Sequence, residues 1–130
     1  MKVRVFTFIG LALFLLTPVS PAVSEKSRSR TFNKQEIERM KQTTAVLETK
    51  FGKIILKFFP DVAPKHVNSF IELASSGFYD GTTFHRVVPG FVIQGGDPNT
   101  KSEDRSKHGT GGPGYTLEAE FSNIPHKRGT

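Results

Sequence analysis

The run FHRVVPGFVIQGGD, residues 84 to 97, places Arg86 and Gln94 in otherwise apolar surroundings. Taking a guanidinium or a carboxamide out of water is costly unless a partner satisfies it. The pair therefore either decorates a strand edge or faces a ligand. Three other groupings bear on chemistry. GTGGPG, residues 109 to 114, matches the spacing of a dinucleotide-binding turn, but that turn needs a strand before it and a helix after it. Here the flanks are a charged loop and Pro113, which favours a plain glycine-rich loop. His66, His85, His108 and His126 are scattered without metal-ligand spacing, so no metal site is expected. Ser69, Ser75 and Ser76 stand near His66 without the strand-turn-helix pattern of a nucleophile, so no covalent catalyst is expected.

The elements that must position Arg86 and Gln94 follow from periodicity. AVLETKFGKIILKFF holds two apolar segments about Lys50-Phe51-Gly52-Lys53, and Gly52 permits the turn of an antiparallel hairpin. Val67, Phe70, Ile71 and Ala74 then follow i, i+3, i+4, i+7, predicting a helix from about Pro64 to Ser75. Pro64 suits its first turn and Gly77 its termination. TFHRVV reads as a strand, and PGFVIQGGD resumes the apolar run beyond Pro89-Gly90. Phe84, Val87, Val88 and Ile93 read as core residues. Residues 98 to 114 read as a long surface loop, and YTLEAEF as one more short strand.

Strict alternation assigns Phe91 and Gln94 to opposite faces of a strand. Presenting both to one cleft requires Pro89-Gly90 to interrupt the register through a bulge or bend.

With 130 residues the chain has room for one small domain and appendages. Residues 1 to 24 have the layout of a secretory signal peptide: Lys2 and Arg4 precede the apolar stretch Val5 to Leu16, and small residues follow. That stretch is shorter than the roughly 20 apolar residues a bilayer span needs. Cleavage after Ala22 or Ser24 and an exported product, periplasmic or secreted, are expected, without stable membrane insertion thereafter. The chain has no cysteine, so its stability would rest on packing without disulfides.

Residues 25 to 44 carry six basic and three acidic groups and read as a polar linker, with a short helix possible over FNKQEIERMKQ. Residues 45 to 130 carry ten basic and nine acidic groups. That near-balance argues against a nucleic-acid groove despite the formal charge of +6 on the whole chain.

GFYDGTTFHRVVPGFVIQGGDP, preceded by FPDVAPKHVNSFIELASSG and followed by GTGGPGYTLEAEF, resembles the cyclophilin family of peptidyl-prolyl isomerases from about Ala45 onward. The resemblance implies a mostly β fold, a closed eight-stranded antiparallel β-barrel capped by two helices. It also implies isomerisation of X-Pro bonds in proline-containing polypeptides without a cofactor. By motif position, Arg86 corresponds to the catalytic arginine, Phe91 to the floor of the proline pocket and Gln94 to the group that hydrogen-bonds the substrate backbone. Val92 corresponds to an apolar pocket neighbour and His85 to a supporting residue, while Thr110, Gly111 and Gly112 would border the adjoining substrate subsite. A noncatalytic module that binds Pro-peptides or acts as a chaperone is the alternative. Residues 45 to 130 match about half of such a domain, so the 130 residues alone are expected to form an incomplete barrel with weak or no activity.

Overall fold

The computed structural model describes residues 1–7 and 30–130. The apolar part of the signal-peptide reading beyond Thr7, with both cleavage positions, lies outside the described residues.

Strands β1 (Lys2–Thr7), β2 (Thr43–Thr49) and β3 (Gly52–Lys57) form one antiparallel sheet in that order. Alternation explains which face is covered: Val3 lies opposite Leu47 and Val5 opposite Ala45. Val3, Ala45 and Leu47 are buried and, with Ala74, form the centre of the core. The expected hairpin turn is present, with Gly52 at φ +132° directly after Lys50-Phe51. Thr49 stabilises it by donating its hydroxyl to the Gly52 carbonyl at 2.9 Å.

Within the segment read as a polar linker, helix α1 (Lys34–Lys41) starts at a reciprocal cap. The Glu36 amide donates to Asn33 Oδ1 at 3.0 Å, and the Asn33 amide donates to Glu36 Oε2 at 2.9 Å. Met40 is its buried residue, and Lys41 reaches Asp61 at 2.9 Å. The folded unit thus takes in this helix, and the first β2 residue is Thr43.

Helix α2 (Pro64–Ser75) has the bounds that its periodicity predicts. It buries Val67, Ser69 and Ala74, while Phe70 packs against Phe58 and stacks on Tyr79 at ring-centroid distances of 5.6 and 5.2 Å. Termination is a Schellman motif: Gly77, at φ +74°, donates to the Ala74 carbonyl and Phe78 to the Leu73 carbonyl. The turn after α2 then meets the start of the chain. The amino terminus donates to the Thr82 carbonyl at 2.9 Å, and the Gly81 amide donates to the Met1 carbonyl at 2.9 Å.

Strands β4 (Phe84–Val88) and β5 (Val92–Gly95) form a separate antiparallel hairpin, followed by the 3-10 turns Pro98–Lys101 and Arg105–Lys107. The chain is mostly β with two helices. Among the described residues the strands make two small sheets and no closed barrel, since β3 pairs with β2 on one side and with no described strand on the other. A barrel requires that last edge to be joined.

Two finer expectations are corrected. Residues 115 to 121 form no strand, because no described strand offers them a ladder. Their carboxylates, Glu118 and Glu120, are instead drawn to the start of α2. Val87 and Ile93 are not core residues: they are 63% and 54% exposed, pair across a two-stranded ribbon, and line an open pocket with Phe84, Phe51 and Met1.

Candidate active site

The β4–β5 hairpin resolves the conflict between alternation and a shared cleft. Pro89-Gly90 does more than bend a strand: it reverses the chain, with the Phe91 amide donating to the Val88 carbonyl at 3.0 Å. Proline supplies the first corner and Gly90, at φ +76°, the second, which is the signature of a type II turn. Reversal places Arg86 directly opposite Gln94 and Val88 opposite Val92. Cross-strand partners project to the same face, so the two polar side chains meet. Arg86 Nη1 lies 3.4 Å from Gln94 Oε1. That long bond leaves most guanidinium donors for a ligand. Phe91 stands at the turn, outside both strands, and is 77% exposed.

A register irregularity falls between Phe84 and Arg86, at His85. Bulged residues are re-aimed relative to their neighbours. His85 lines a cavity of about 540 Å³ between α2 and the glycine-rich loop, and its Nδ1 is buried with no hydrogen bond among the described residues. Gln94, Gly111 and Gly112 line the same cavity. Arg86, Phe91, Val92 and Thr110 do not. Thr110 is turned into its own loop, donating to the Lys107 carbonyl at 2.7 Å and accepting from Asn99 Nδ2 at 3.2 Å. The predicted residues therefore divide into an exposed hairpin set and a cavity set, with Gln94 common to both.

Sequence reasoning missed the residue that holds the cavity set in place. Asp97 is 6% exposed and accepts backbone hydrogen bonds from Asn99 at 2.7 Å, Gly111 at 3.2 Å and, at short range, Gly109. Desolvation pushes its carboxyl up, but the amides of Asn99, Gly111 and Gly109 outweigh it and hold the group below its ordinary range. A side chain at Gly111 would collide with Asp97 and come within 2.9 Å of Asn99 Nδ2, so glycine is needed there. The GTGGPG segment is thus a loop gathered around a carboxylate. Its available signal was Gly-Asp-Pro-Asn, an Asx turn ahead of a glycine-rich stretch.

The cavity floor is apolar and aromatic, including Phe70, Leu73, Phe78 and Tyr79. Burial, with the nearby Tyr115, pushes the Tyr79 hydroxyl up to about 12, so it stays protonated across the ordinary pH range. No cluster of metal-ligating side chains occurs among the described residues. The hairpin offers an exposed cation beside a carboxamide, and the cavity offers apolar surface, which suits binding and polarising a ligand more than breaking a bond.

Residues 44–130 match the family model for cyclophilin type peptidyl-prolyl cis-trans isomerases. The chain belongs to the cyclophilin family. A peptidyl-prolyl cis-trans isomerase of Synechococcus elongatus is 50% identical over 88 residues, covering 68% of this chain and 56% of that protein. Peptidyl-prolyl cis-trans isomerase B of Bacillus subtilis is 51% identical over 75 residues, 58% of this chain and 48% of its own length. A Helicobacter pylori peptidyl-prolyl cis-trans isomerase is 42% identical over 103 residues, 78% of this chain and 59% of that protein. The chain spans about half the length of these cyclophilin relatives. No solved structure matches it. All the site residues named above fall within the stretch matched to the cyclophilin model.

Proposed function

We propose that the full-length protein is a peptidyl-prolyl cis-trans isomerase that assists the folding of exported proteins. The observation that carries this reading is the placement of Arg86 opposite Gln94 on one hairpin face, with Phe91 at the adjoining turn. Amide resonance keeps the X-Pro bond planar against a rotational barrier of about 18 to 20 kcal/mol. Twisting the bond localises the lone pair on the prolyl nitrogen, which becomes a better hydrogen-bond acceptor. Arg86 donates to that nitrogen more strongly in the twisted state than in the planar one, which is the condition for catalysis. Phe91 supplies the apolar floor for the ring, with Val92 beside it, and Gln94 holds the substrate backbone. No bond is broken and no cofactor enters. Lys2 and Arg4 ahead of the apolar stretch Val5 to Leu16 support export to a periplasm or to the outside, although removal of that leader would also take β1 and Val3 out of the sheet. No helix among the described residues is long and apolar enough to cross a membrane.

A charge-assisted hydrogen bond contributes about 1.5 to 3 kcal/mol, and about 1.4 kcal/mol corresponds to tenfold in rate. Arg86→Ala in the full-length protein is therefore expected to lower kcat/KM on a Pro-peptide by about 10- to 100-fold. Equal turnover by the variant refutes the mechanism. A second reading, a noncatalytic Pro-peptide module, is favoured by one feature: Phe91 and Arg86 are exposed and do not line the cavity that Gln94 borders. Tight peptide binding without rate enhancement by the unsubstituted protein would establish it.

A further inference from the structure

Helix α2 lacks a cap of its own. The residue before it is Ala63, whose side chain accepts nothing, so the first amides of the helix need an external acceptor. Glu120 supplies it from far along the chain: Oε1 accepts from the Lys65 amide and Oε2 from the His66 amide, each at 3.1 Å. Oε2 also meets His66 Nδ1 at 2.7 Å, and Glu118 meets Lys65 Nζ at 2.8 Å. One turn further along α2, Ser69 Oγ lies 2.7 Å from the Tyr115 hydroxyl. The segment from Tyr115 to Glu120 is thus fastened to α2 at both ends, without a strand ladder to hold it.

Within this segment Tyr115 and Leu117 wall the same cavity as Gln94, Gly111 and Gly112. Outside any strand, this wall depends on its side-chain anchors for its placement. The Glu120 side chain is 12% exposed, in contrast to 81% for Glu118, so Glu120 is the anchor whose loss solvent least replaces. We propose that Glu120 is a positioning residue: by capping α2 it fixes the Tyr115–Leu117 wall and so sets how tightly a bound peptide is held against Gln94 and the glycine-rich loop. The consequence for peptide affinity rests on the isomerase reading, whereas the structural coupling does not.

The test is Glu120→Gln in the full-length protein, which keeps size and one acceptor but turns an amide donor toward the α2 start. Amide hydrogen exchange at Lys65 and His66 is expected to accelerate about tenfold, the scale of a lost charge-assisted bond. Amide resonances of Tyr115 and Leu117 are expected to shift with it. On a Pro-peptide, KM is expected to rise about three- to tenfold with kcat within about twofold, since the lost contact does not touch the prolyl nitrogen. Faster exchange at the helix start with Tyr115, Leu117 and KM unmoved overturns the proposal, leaving a simple cap. Unchanged exchange also overturns it. Should Glu120→Gln fail to fold, Glu120→Asp keeps the charge but shortens the reach to the Lys65 and His66 amides, and is expected to give the same pattern at smaller amplitude, its absence counting against the proposal. Failure of the isomerase reading is distinguishable: it removes turnover from the unsubstituted protein yet leaves the exchange and resonance results standing.

Discussion

Gly95→Ala probes how tightly the candidate hairpin is assembled. Gly95 faces Phe84 across the ribbon, next to Gln94. A methyl group there would lie 2.8 Å from Phe84 Cδ1, 3.2 Å from Phe84 Cε1 and 3.1 Å from the Thr83 carbonyl oxygen. Unstrained carbon contacts begin at about 3.5 Å, so the ring is too close by roughly 0.7 Å. Neither neighbour yields freely. Thr83 is held by its amide hydrogen bond to Thr100 Oγ1 at 3.0 Å, and Phe84 packs against the central core.

Overpacking of this kind costs about 1 to 3 kcal/mol. With a urea m-value of about 2 kcal/mol/M, a 2 kcal/mol loss lowers the unfolding midpoint by about 1 M. The assay is urea unfolding followed by circular dichroism on the full-length protein, with Phe84→Leu as partner in a double-mutant cycle. A smaller, branched side chain at 84 relieves the ring contact, so the double variant is expected to recover at least about 0.5 kcal/mol relative to additivity. An unchanged midpoint in Gly95→Ala would refute the reasoning. So would an equal loss in both Phe84 and Leu backgrounds, because the Phe84 ring would then not be what the methyl group meets.

Three further outcomes are expected. Asp97 is held below its ordinary value of 3.8, so its contribution to stability is complete above that pH and is lost as pH falls through the lower folded value; on acid titration of unfolding, wild type should lose more stability than Asp97→Asn, in which lowered carboxylates such as Glu120 and Asp104 still titrate. Gly77→Ala forces a side chain into φ +74°, at a cost of about 1 to 2 kcal/mol, and differential scanning calorimetry should show a lower Tm. Phe91→Ala, at a residue 77% exposed, should leave Tm within about 2 °C while raising KM for Pro-peptides, and a large loss of Tm would instead assign Phe91 to packing.

What could be read in the sequence was local. The α2 stripe and its Pro64 and Gly77 boundaries depend on residues within one or two turns, and the structure has those bounds. The hairpin at Gly52 is similarly self-contained. The need for an interruption at Pro89-Gly90 was also legible, because alternation conflicted with a shared cleft. Its form was not, since a bulge, a bend and a full reversal all satisfy the same conflict; the cross-strand register of Arg86 with Gln94 decides it. Apolar identity misled at Val87 and Ile93, because burial depends on what covers a face and not on the residues in it.

The positions that escaped sequence reading share a physical cause. Asp97 binds amides 12 and 14 residues away, and Glu120 binds amides 54 and 55 residues away. Backbone amides carry no sequence label, so a carboxylate that satisfies them leaves no pairing pattern in the chain. Asp97 closes the apolar run PGFVIQGGD and Glu120 lies in YTLEAEF, a segment that reads as a strand, so neither stands out as an anchor in the sequence. Their burial sets them apart, since a carboxylate withdrawn from water must be paid for by donors, and here the donors are the ends and turns that shape the cavity. The residues proposed to contact a peptide come from a motif, while the residues that hold the hairpin and loop in register become visible only when the backbone hydrogen bonds are traced.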